Sequence, residues 1–363
     1  MDKIVQEIID LPKQKIKSII KDPEKSAEAV HLVYVHDTQP GIGRIKKGKR
    51  YDYIANCKKI RDKDELQRIK CLVIPPAWEN VWICILANGH LQATGLDVKK
   101  RKQYKYHSLW NSLRNHTKFY SLHEFGKVLP AIRLQLEKDL SLHGLPLEKL
   151  LATIVSLMER TNIRVGNNFY EKLYGSFGLT TLKNRHVTIN GNHLTFSFKG
   201  KKGIEHNIRI QNKKLSDIIR KCRDIPGKEL FQYYKEDGTH HSIDSGMVND
   251  YIRKISLTDF TAKDFRTWSG TIHAFIAFTE LGSFETTTEA KKKIVEALDI
   301  VSGHLGNTRT VCKKYYVHPL ILDLYENKSL EKYIKQLESI SSDDNKAALT
   351  AEEKIVMKIL ESQ

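Results

Sequence analysis

Residues 187–210 read VTINGNHLTFSFKGKKGIEHNIRI, and this stretch determines the predicted fold class of the chain. Asn190-Gly191 and the turn from Gly200 to Gly203 divide it into three β-prone segments. Asn-Gly pairs and glycine-flanked loops favour tight hairpin turns, so the stretch predicts a three-stranded antiparallel meander. Sequence with helical periodicity lies on both sides of it, which indicates an α+β fold with a mainly helical domain around one small sheet.

Apolar residues recur at spacings of three and four on both sides of the meander, over 125–142, 146–161 and 271–279. This periodicity predicts amphipathic helices. Further on, residues 341–345 (Ser-Ser-Asp-Asp-Asn) predict a linker. Thr350 with Glu353 predicts a capping box that opens a last helix.

The chain before residue 115 has a different character. Residues 81–86 and 90–94 are β-prone and flank Asn88-Gly89, which predicts a β-hairpin. We therefore expect a small strand-rich domain there. Further signals in this part are a β-prone segment at 31–35, a turn at Gly41-Ile42-Gly43 and an apolar segment at 71–74 that ends at Pro75-Pro76.

The first thirty residues carry apolar and charged residues at helical spacing from Val5 to Ile20. They predict a short amphipathic helix that ends near Asp22-Pro23. With a domain boundary near residue 115, we expect three parts in the chain. These are a helical extension over 1–30, a strand-rich domain over 31–115 and a helical domain over 116–363.

The chain is strongly basic, with 60 Lys+Arg against 43 Asp+Glu and a formal net charge of +17. A surplus of this size favours a polyanion as partner, most commonly nucleic acid, although charge alone does not separate DNA from RNA or an acidic membrane. No apolar run is long enough to span a bilayer, and the N-terminus does not read as a signal peptide. We expect a cytoplasmic protein that makes no use of a membrane.

No motif in the sequence indicates a bound metal or nucleotide. The five cysteines are scattered and none forms a CxxC pair, so neither a zinc site nor a disulfide framework is predicted. There is no ATP-binding P-loop and no carboxylate cluster suited to Mg²⁺. We therefore expect no metal and no cofactor.

Cleavage of a phosphodiester without metal requires a nucleophile, cations for the non-bridging oxygens and an acid for the departing oxygen. Tyr316, in Lys313-Lys314-Tyr315-Tyr316, is a candidate nucleophile. A phenol, whose ordinary pKa is near ~10, needs nearby cations to attack at neutral pH, and this segment offers them. The other reading of a Tyr-Tyr pair is core packing, which we expect for Tyr315.

Arg164 and Arg266 are the candidate cations, because a guanidinium binds phosphate through two hydrogen bonds. Arg164 lies near the end of one predicted helix and Arg266 near the start of another. The alternatives are a surface arginine for Arg164 and, for Arg266, a structural arginine stacked on Trp268.

Lys201 and Asn307 complete the set of candidate residues. Lys201 lies in the turn of the meander, where it can reach toward a leaving oxygen; the alternative is a solvated turn lysine, with Lys202 as its equal. Asn307 follows Gly306 and can donate to a phosphate oxygen, cap a helix, or do both.

The order and spacing of these segments resemble the type IB DNA topoisomerases, in particular the small bacterial and poxvirus-type enzymes. In that family the tyrosine follows nine residues after a His or Asn, and Asn307 and Tyr316 keep that interval. Poxvirus-type enzymes carry His at this position, so the chain departs from them. An amide can still donate to phosphate, but it cannot act as a titrating acid. The matching segments are Ile163-Arg164-Val165-Gly166, Gly178-Leu179-Thr180-Thr181-Leu182-Lys183-Asn184, Phe198-Lys199-Gly200-Lys201 and Lys263-Asp264-Phe265-Arg266-Thr267.

The resemblance extends into the strand-rich part and covers residues 31–325. The segment Lys102 to His107 resembles the family's DNA-reading segment, which implies that Gln103, Tyr104 and Tyr106 contact bases and phosphates in the major groove. Tyr170 matches a further DNA-contacting tyrosine. The other reading of residues 102–107 is a strand with alternating faces. Further matches are Pro40-Gly41-Ile42, Ile74-Pro75-Pro76-Ala77-Trp78, Val81-Trp82-Ile83 and Gly89-His90-Leu91-Gln92-Ala93-Thr94-Gly95.

The resemblance implies an isomerase that relaxes supercoiled double-stranded DNA without ATP or metal. It implies a 3′-phosphotyrosyl link at Tyr316, with Arg164, Arg266 and Asn307 at the non-bridging oxygens and Lys201 as the acid. The strand-rich and catalytic domains would form a clamp around DNA, and the protein would be monomeric on DNA and nucleoid-associated.

Two other functions fit parts of the sequence. A tyrosine recombinase or integrase shares the fold and the tyrosine chemistry, but it usually carries His-x-x-Arg where this chain has Lys263-Asp264-Phe265-Arg266. Such an enzyme also usually begins with a helical DNA-binding domain. A non-catalytic DNA-binding clamp would account for the charge, but it would not require Tyr316 or Lys201.

Overall fold

The computed structural model describes residues 22–363 except 49, 99, 101, 118, 236, 338, 341–346 and 363, and, among the first 21, residues 4, 7, 8, 11, 15, 16, 18 and 19. The side chains of residues 115, 116, 169 and 170 also lie outside the described part. The chain divides into two compact units, Met1–Tyr120 and Ser121–Gln363. The division into 1–30, 31–115 and 116–363 stays a prediction, and the linker at 341–345 lies outside the described residues.

Six strands form one antiparallel sheet in the described part of the first unit. They are β1 (Ile42–Lys47), β2 (Arg50–Ala55), β3 (Lys58–Lys59), β4 (Glu79–Ile83), β5 (Leu91–Leu96) and β6 (Lys102–Tyr106). The order across the sheet is β3-β2-β1-β4-β5-β6. One face buries Ile42, Val81, Ile83 and Ala93 against Ile69 of helix α2 (Lys63–Cys71).

A second cluster of buried apolar residues joins the N-terminal segment to the end of the first unit. Ala27 of helix α1 (Pro23–Ala29), with Val30, packs against Trp110 and Leu113 of helix α3 (Ser108–Thr117). Asp22 is not helical and separates the predicted N-terminal helix from α1, which begins at Pro23. Asp22 accepts hydrogen bonds from the first turn of α1, and proline is favoured at that first position, so the pair begins a helix. Most of the predicted helix over 5–20 lies outside the described residues.

The predicted hairpin around Asn88-Gly89 is confirmed as β4 and β5, but the predicted turn at Gly41-Ile42-Gly43 is wrong and the β-prone segment at 31–35 is not a strand. Ile42 and Gly43 belong to β1 rather than to a turn, and Gly43 pairs with strands on both sides. Residues 31–35 form only an isolated bridge at Val33, and the apolar segment 71–74 begins with the last residue of α2. Between Gly43 and Gly48 only Ile45 is apolar, so this segment gave little strand signal in the sequence.

The predicted meander of the second unit is confirmed. It consists of β7 (Val187–Asn190), β8 (His193–Lys199) and β9 (Glu205–Gln211), in antiparallel order. The central strand β8 buries Leu194, Phe196 and Phe198 on one face, as strand alternation requires. Its return into β9 passes through the turn that carries Lys201 and Lys202.

Helices make up most of the rest of the second unit, as predicted. They are α4 (Tyr120–Leu140), α5 (Leu147–Thr161), α6 (Asn168–Tyr174), α7 (Lys213–Arg223), α8 (Ser245–Ser256), α9 (Ala262–Leu281), α10 (Thr287–Leu305), α11 (Arg309–Tyr315), α12 (Pro319–Glu326), α13 (Glu331–Leu337) and α14 (Ala351–Glu361); short strands β10 (Gln232–Tyr234) and β11 (His240–Ser242) pair with each other. None of the helices in the described part is long and apolar enough to cross a membrane.

The last helix is held in the second unit by a buried polar network. The predicted capping box of Thr350 and Glu353 opens α14. The Glu353 carboxylate also accepts from Trp268 Nε1 of α9 at 2.9 Å and from both terminal nitrogens of Arg133 of α4 at 2.8 and 2.9 Å. Glu353 is buried, so this network fixes α14 against the helix that begins just before Arg266.

Candidate active site

Arg164 reaches the start of the loop that follows α10. Helix α5 ends at Asn162 in the left-handed region, and the chain continues through Arg164, whose main-chain carbonyl accepts from Leu179 N at 2.9 Å. The guanidinium donates from Nη2 to the Gly306 carbonyl at 2.9 Å and to Oδ1 of Asn307. Arg164 is therefore fixed beside Asn307 rather than exposed on the surface, and the surface alternative is wrong.

Arg266 lies in the first turns of α9 and is only 5% exposed. Its Nη1 donates to the Asn162 carbonyl and its Nη2 to the Leu305 carbonyl at 2.7 Å. Both acceptors stand at helix C-terminal ends, where carbonyl oxygens lack partners within their helix. The alternative of stacking on Trp268 is wrong, because the ring that Arg266 faces is that of Tyr316, with 5.3 Å between the guanidinium carbon and the ring centroid.

Tyr316 is the C-cap residue that follows helix α11, and its main chain packs on α9. Its carbonyl accepts from Oγ1 of Thr271 at 3.2 Å. A Cβ on Gly270 would lie 2.7 Å from that carbonyl oxygen and 2.9 Å from Cβ of Tyr316, so α9 needs a glycine at this point of contact. Tyr315 is half-buried and lies below Lys314 Nζ, 5.4 Å from the ring centroid, so core packing was the wrong expectation for it.

Asn307 is not the cap of helix α11. That position belongs to Thr308, whose hydroxyl accepts from Val311 N, so this alternative for Asn307 is wrong. Oδ1 of Asn307 accepts from Arg164, whereas its Nδ2 is buried and has no partner among the described residues. The same holds for Nε of Arg266. A buried donor without an acceptor costs about 1–3 kcal/mol, so two such donors mark a place for an oxygen-rich ligand.

The charges of this cluster favour an anion. Burial lowers the pKa of Arg164 to about 10, and the positive charge of Arg266 acts in the same direction. Burial also lowers the pKa of Arg266, while Tyr316 opposes that shift. Among the described residues, no carboxylate forms an ion pair with either arginine or contributes to these shifts. Both guanidinium groups remain charged at neutral pH. Neither is neutralised by an acidic side chain among the described residues.

Lys201 is the one candidate that the meander contributes. It lies in the turn between β8 and β9, and its side chain is exposed, as is that of Lys202, which has a φ of 64°. Gly200 N donates to the Ile204 carbonyl at 2.7 Å and closes the turn. The structure thus brings Arg164, Arg266, Asn307 and Tyr316 together and presents Lys201 on a neighbouring turn.

Sequence reasoning missed His206, which connects that turn to the cluster. Its ring lies against Gly200 in the turn and against Gly306 in the loop before Asn307. A lone histidine on a strand carries no motif. The sequence contained only part of the evidence for this contact, namely Gly200 and Gly306, the glycines that the ring touches.

The DNA-contact candidates of the first unit do not share one face. Tyr104 and Tyr106 are exposed on β6, with parallel rings whose centroids are 5.9 Å apart. Gln103 lies on the opposite face, half-buried, and its Nε2 donates to Oδ2 of Asp97 at 3.1 Å. Residues 102–106 are therefore a strand with alternating faces. Tyr170 belongs to α6, but its side chain lies outside the described part.

Two family models match the chain. The model of the eukaryotic DNA topoisomerase I catalytic core matches residues 101–346, which contain the whole cluster and the Lys201 turn. The model of the bacterial DNA topoisomerase IB N-terminal domain matches residues 50–97, within the sheet of the first unit. By class, the chain is a DNA topoisomerase, an isomerase that acts on DNA.

Individual relatives agree with the models. The chain is 32% identical over 296 residues to DNA topoisomerase 1B of Acanthamoeba polyphaga mimivirus, covering 79% of this chain and 88% of the relative. It is 24% identical over 238 residues to DNA topoisomerase 1B of vaccinia virus (strain Copenhagen), covering 65% and 72%. DNA topoisomerase 1 of rabbit fibroma virus is 25% identical over 256 residues, covering 69% and 76%. The chain belongs to the type IB DNA topoisomerase family.

Proposed function

We propose that this topoisomerase relaxes supercoiled duplex DNA by cutting one strand through Tyr316, without ATP or metal. The phenolic oxygen attacks phosphorus in line, the bond from phosphorus to the 5′ oxygen breaks, and a 3′-phosphotyrosyl link forms. The free 5′ end rotates and torsional stress is released. The 5′ hydroxyl then attacks the link and restores the strand, so the phosphotyrosine conserves the bond energy and no nucleotide is consumed.

One observation carries this proposal. Nε of Arg266 and Nδ2 of Asn307 are buried donors without partners in the described structure. Oδ1 of Asn307 accepts from Arg164, and the Arg266 guanidinium faces the ring of Tyr316. A phosphodiester has two non-bridging oxygens that gain charge as the nucleophile attacks, and fixed donors stabilise that charge at little reorganisation cost. Arg164, Arg266 and Asn307 therefore hold these oxygens.

The leaving oxygen needs a proton, and Lys201 supplies it in this proposal. An alkoxide is a poor leaving group, and general acid catalysis typically contributes ~10²–10⁴-fold. An exposed lysine on a turn next to the cluster can reach a DNA strand bound over it.

The first unit supplies further DNA contacts. The exposed Tyr104 and Tyr106 present aromatic faces and hydroxyls, and Lys102 Nζ lies 5.7 Å from the Tyr104 ring centroid. Tyr170, on α6 of the second unit, is a further proposed contact. Gln103 contacts a base only if its bond to Asp97 opens on binding. The two units form a clamp around double-stranded DNA, and the protein acts as a monomer on nucleoid DNA in the cytoplasm.

Plasmid relaxation in EDTA without nucleotide tests the proposal, with a supercoiled plasmid that carries no recombination site. We expect relaxation of both positive and negative supercoils, and a covalent protein–DNA adduct when the reaction is stopped with denaturant. A strict requirement for Mg²⁺ or ATP would contradict the mechanism. Binding without any adduct would indicate a non-catalytic clamp.

A further inference from the structure

His206 occupies a space that two glycines leave open. The residue is half-buried on β9, directly across from Phe198 on β8, and the two rings are stacked with centroids 5.0 Å apart. A Cβ on Gly200 would lie 2.6 Å from Cδ2 and Nε2 of the imidazole. A Cβ on Gly306 would lie 2.6 Å from its Cε1. One ring is therefore wedged between the Lys201 turn and the loop that leads to Asn307.

This contact bears on the orientation of the Lys201 turn relative to the loop that carries Asn307. Gly200 N donates to the Ile204 carbonyl, Gly203 N donates to the Gly200 carbonyl, and Phe177 N donates to the Lys199 carbonyl just before the turn. None of these three main-chain bonds joins the turn to the Gly306–Asn307 loop. General acid catalysis requires the acid within hydrogen-bond reach of the leaving oxygen. The orientation of the turn relative to the phosphate-binding loop must therefore be set by something outside the turn.

We propose that His206 is a positioning residue that sets the Lys201 turn against the Gly306–Asn307 loop, so that the acid reaches the leaving oxygen while Asn307 binds a non-bridging oxygen. The proposal rests on the proposed function, and it assigns to His206 the alignment of the acid rather than any contact with DNA.

The electrostatic setting of His206 agrees with a packing role. Burial lowers its pKa, and the positive charges of Arg164 and Arg266 lower it further. Both effects disfavour the charged imidazole, which suits a ring that packs beside two arginines. Two glycines at the contact points let the ring approach both main chains, which larger residues would prevent.

The test uses single-turnover cleavage of two suicide substrates, one with oxygen and one with sulfur at the 5′ bridging position of the scissile phosphate. A thiolate leaves without a proton, so only the oxygen substrate reports on the acid. We expect His206→Ala to cleave the oxygen substrate about 10²-fold more slowly than wild type, as misplaced catalytic groups commonly do, and the sulfur substrate at nearly the wild-type rate. His206→Phe, which keeps the ring, should recover most of the loss. His193→Ala, at the exposed far end of β8, is the matched control and should cleave both substrates normally.

The outcomes separate this inference from the proposed function. If Lys201→Ala is rescued by sulfur and His206→Ala slows both substrates equally, His206 does not position the acid. Failure of His206→Phe to recover activity would also overturn the packing role. If Lys201→Ala is not rescued, the acid assignment of the proposed function fails. Suppose that sulfur does not rescue Lys201→Ala but does rescue His206→Ala. The acid is then another residue of the same turn, and His206 still positions it. If sulfur rescues neither variant, the inference about His206 is overturned. The double variant His206→Ala/Lys201→Ala should be no slower than Lys201→Ala alone, because the two changes remove one effect.

Discussion

Arg266 and Tyr316 face each other across the candidate site, with 5.3 Å between the guanidinium carbon and the centre of the phenol ring. Helix α9 sets this distance, because it carries Arg266 in its first turns and contacts the Tyr316 main chain at Gly270 and Thr271. The proposed nucleophile and one of the proposed phosphate-binding cations are thus positioned by a single helix, and changes in that helix should affect cleavage directly.

Tyr316→Phe should abolish the covalent adduct with DNA, whereas Tyr315→Phe should keep it. Tyr316 faces Arg266, while the half-buried Tyr315 ring lies below Lys314. Adduct trapped with denaturant on a plasmid or a suicide substrate measures both variants. An inactive Tyr315→Phe beside an active Tyr316→Phe would place the nucleophile one residue earlier.

Gly270→Ala should slow adduct formation, because the new methyl group would lie 2.7 Å from the Tyr316 carbonyl oxygen and must displace that residue. Misplacement of a nucleophile by this kind of contact can cost about 10²-fold in rate. Gly303→Ala is the matched control in α10, since nothing lies within 4 Å of its Cβ position. That variant should cleave normally and gain up to about 1 kcal/mol of stability. Equal cleavage rates for the two variants would show that Gly270 does not position Tyr316.

Asn307→Ala should lose about 10²-fold or more in cleavage rate, as expected for a lost donor to developing charge, whereas Asn307→His should retain substantial activity. The Nδ2 donor of Asn307 is buried and unpaired in the described structure, and an imidazole can replace it as a donor. Single-turnover cleavage at constant DNA occupancy separates this effect from binding. Wild-type rates for Asn307→Ala would leave the residue without a role at the phosphate.

Glu353→Gln should destabilise the second unit most strongly at neutral pH. Burial by itself would raise the pKa of Glu353, but the hydrogen bond and charge of Arg133 outweigh it and hold that pKa below its ordinary value. The carboxylate therefore contributes stability that is fully present above its unfolded pKa and is lost as pH falls through the folded pKa. Breaking such a buried pair costs about 3 kcal/mol.

Denaturant unfolding of Glu353→Gln at pH 7 and at acidic pH measures that contribution. The difference from wild type should narrow as the solution becomes more acidic than the folded pKa. Glu352→Gln, on the neighbouring position of α14, is the control and should unfold like wild type. A pH-independent difference would mean that the charge of Glu353 is not what stabilises α14.

The catalytic half of the molecule was more predictable than the strand-rich half. The meander and the helices around it follow from strong local signals, namely glycine-containing turns and long apolar periodicity. The strand β1 was missed because Gly41 and Gly43 read as a turn. Ile54 belongs to the next strand, β2, which pairs with β1 as a hairpin, whereas the other partner of Gly43, Trp82, lies far along the chain. Local sequence carries little information about such pairings.

In the candidate site, too, contacts between distant segments were the least predictable feature. Arg164, Arg266, Asn307 and Tyr316 were selected because the order and spacing of their segments resemble the type IB family, and the structure brings them together. The opposite orientation of Gln103 and Tyr104 follows from strand alternation, which the sequence allowed as an alternative. His206 had no comparable signal, since its position depends on two glycines in segments that only the folded chain brings together.

Lys201 and Lys202 are adjacent and both exposed, so neither composition nor burial tells which one is the acid. They differ in backbone conformation, because Lys202 adopts a φ of 64° and Lys201 does not, which directs the two side chains differently from the same turn.

Lys201→Ala should slow cleavage of an ordinary phosphodiester by ~10²-fold or more, the usual contribution of a general acid, with DNA binding nearly unchanged. Sulfur at the 5′ bridging position should restore its rate. Lys202→Ala is the control and should need no rescue, whereas Arg164→Ala should be rescued much less, because its loss leaves charge on the non-bridging oxygens uncompensated whichever atom departs. Rescue of Lys202→Ala instead would move the acid by one residue, and rescue of neither lysine variant would remove the acid from this turn altogether.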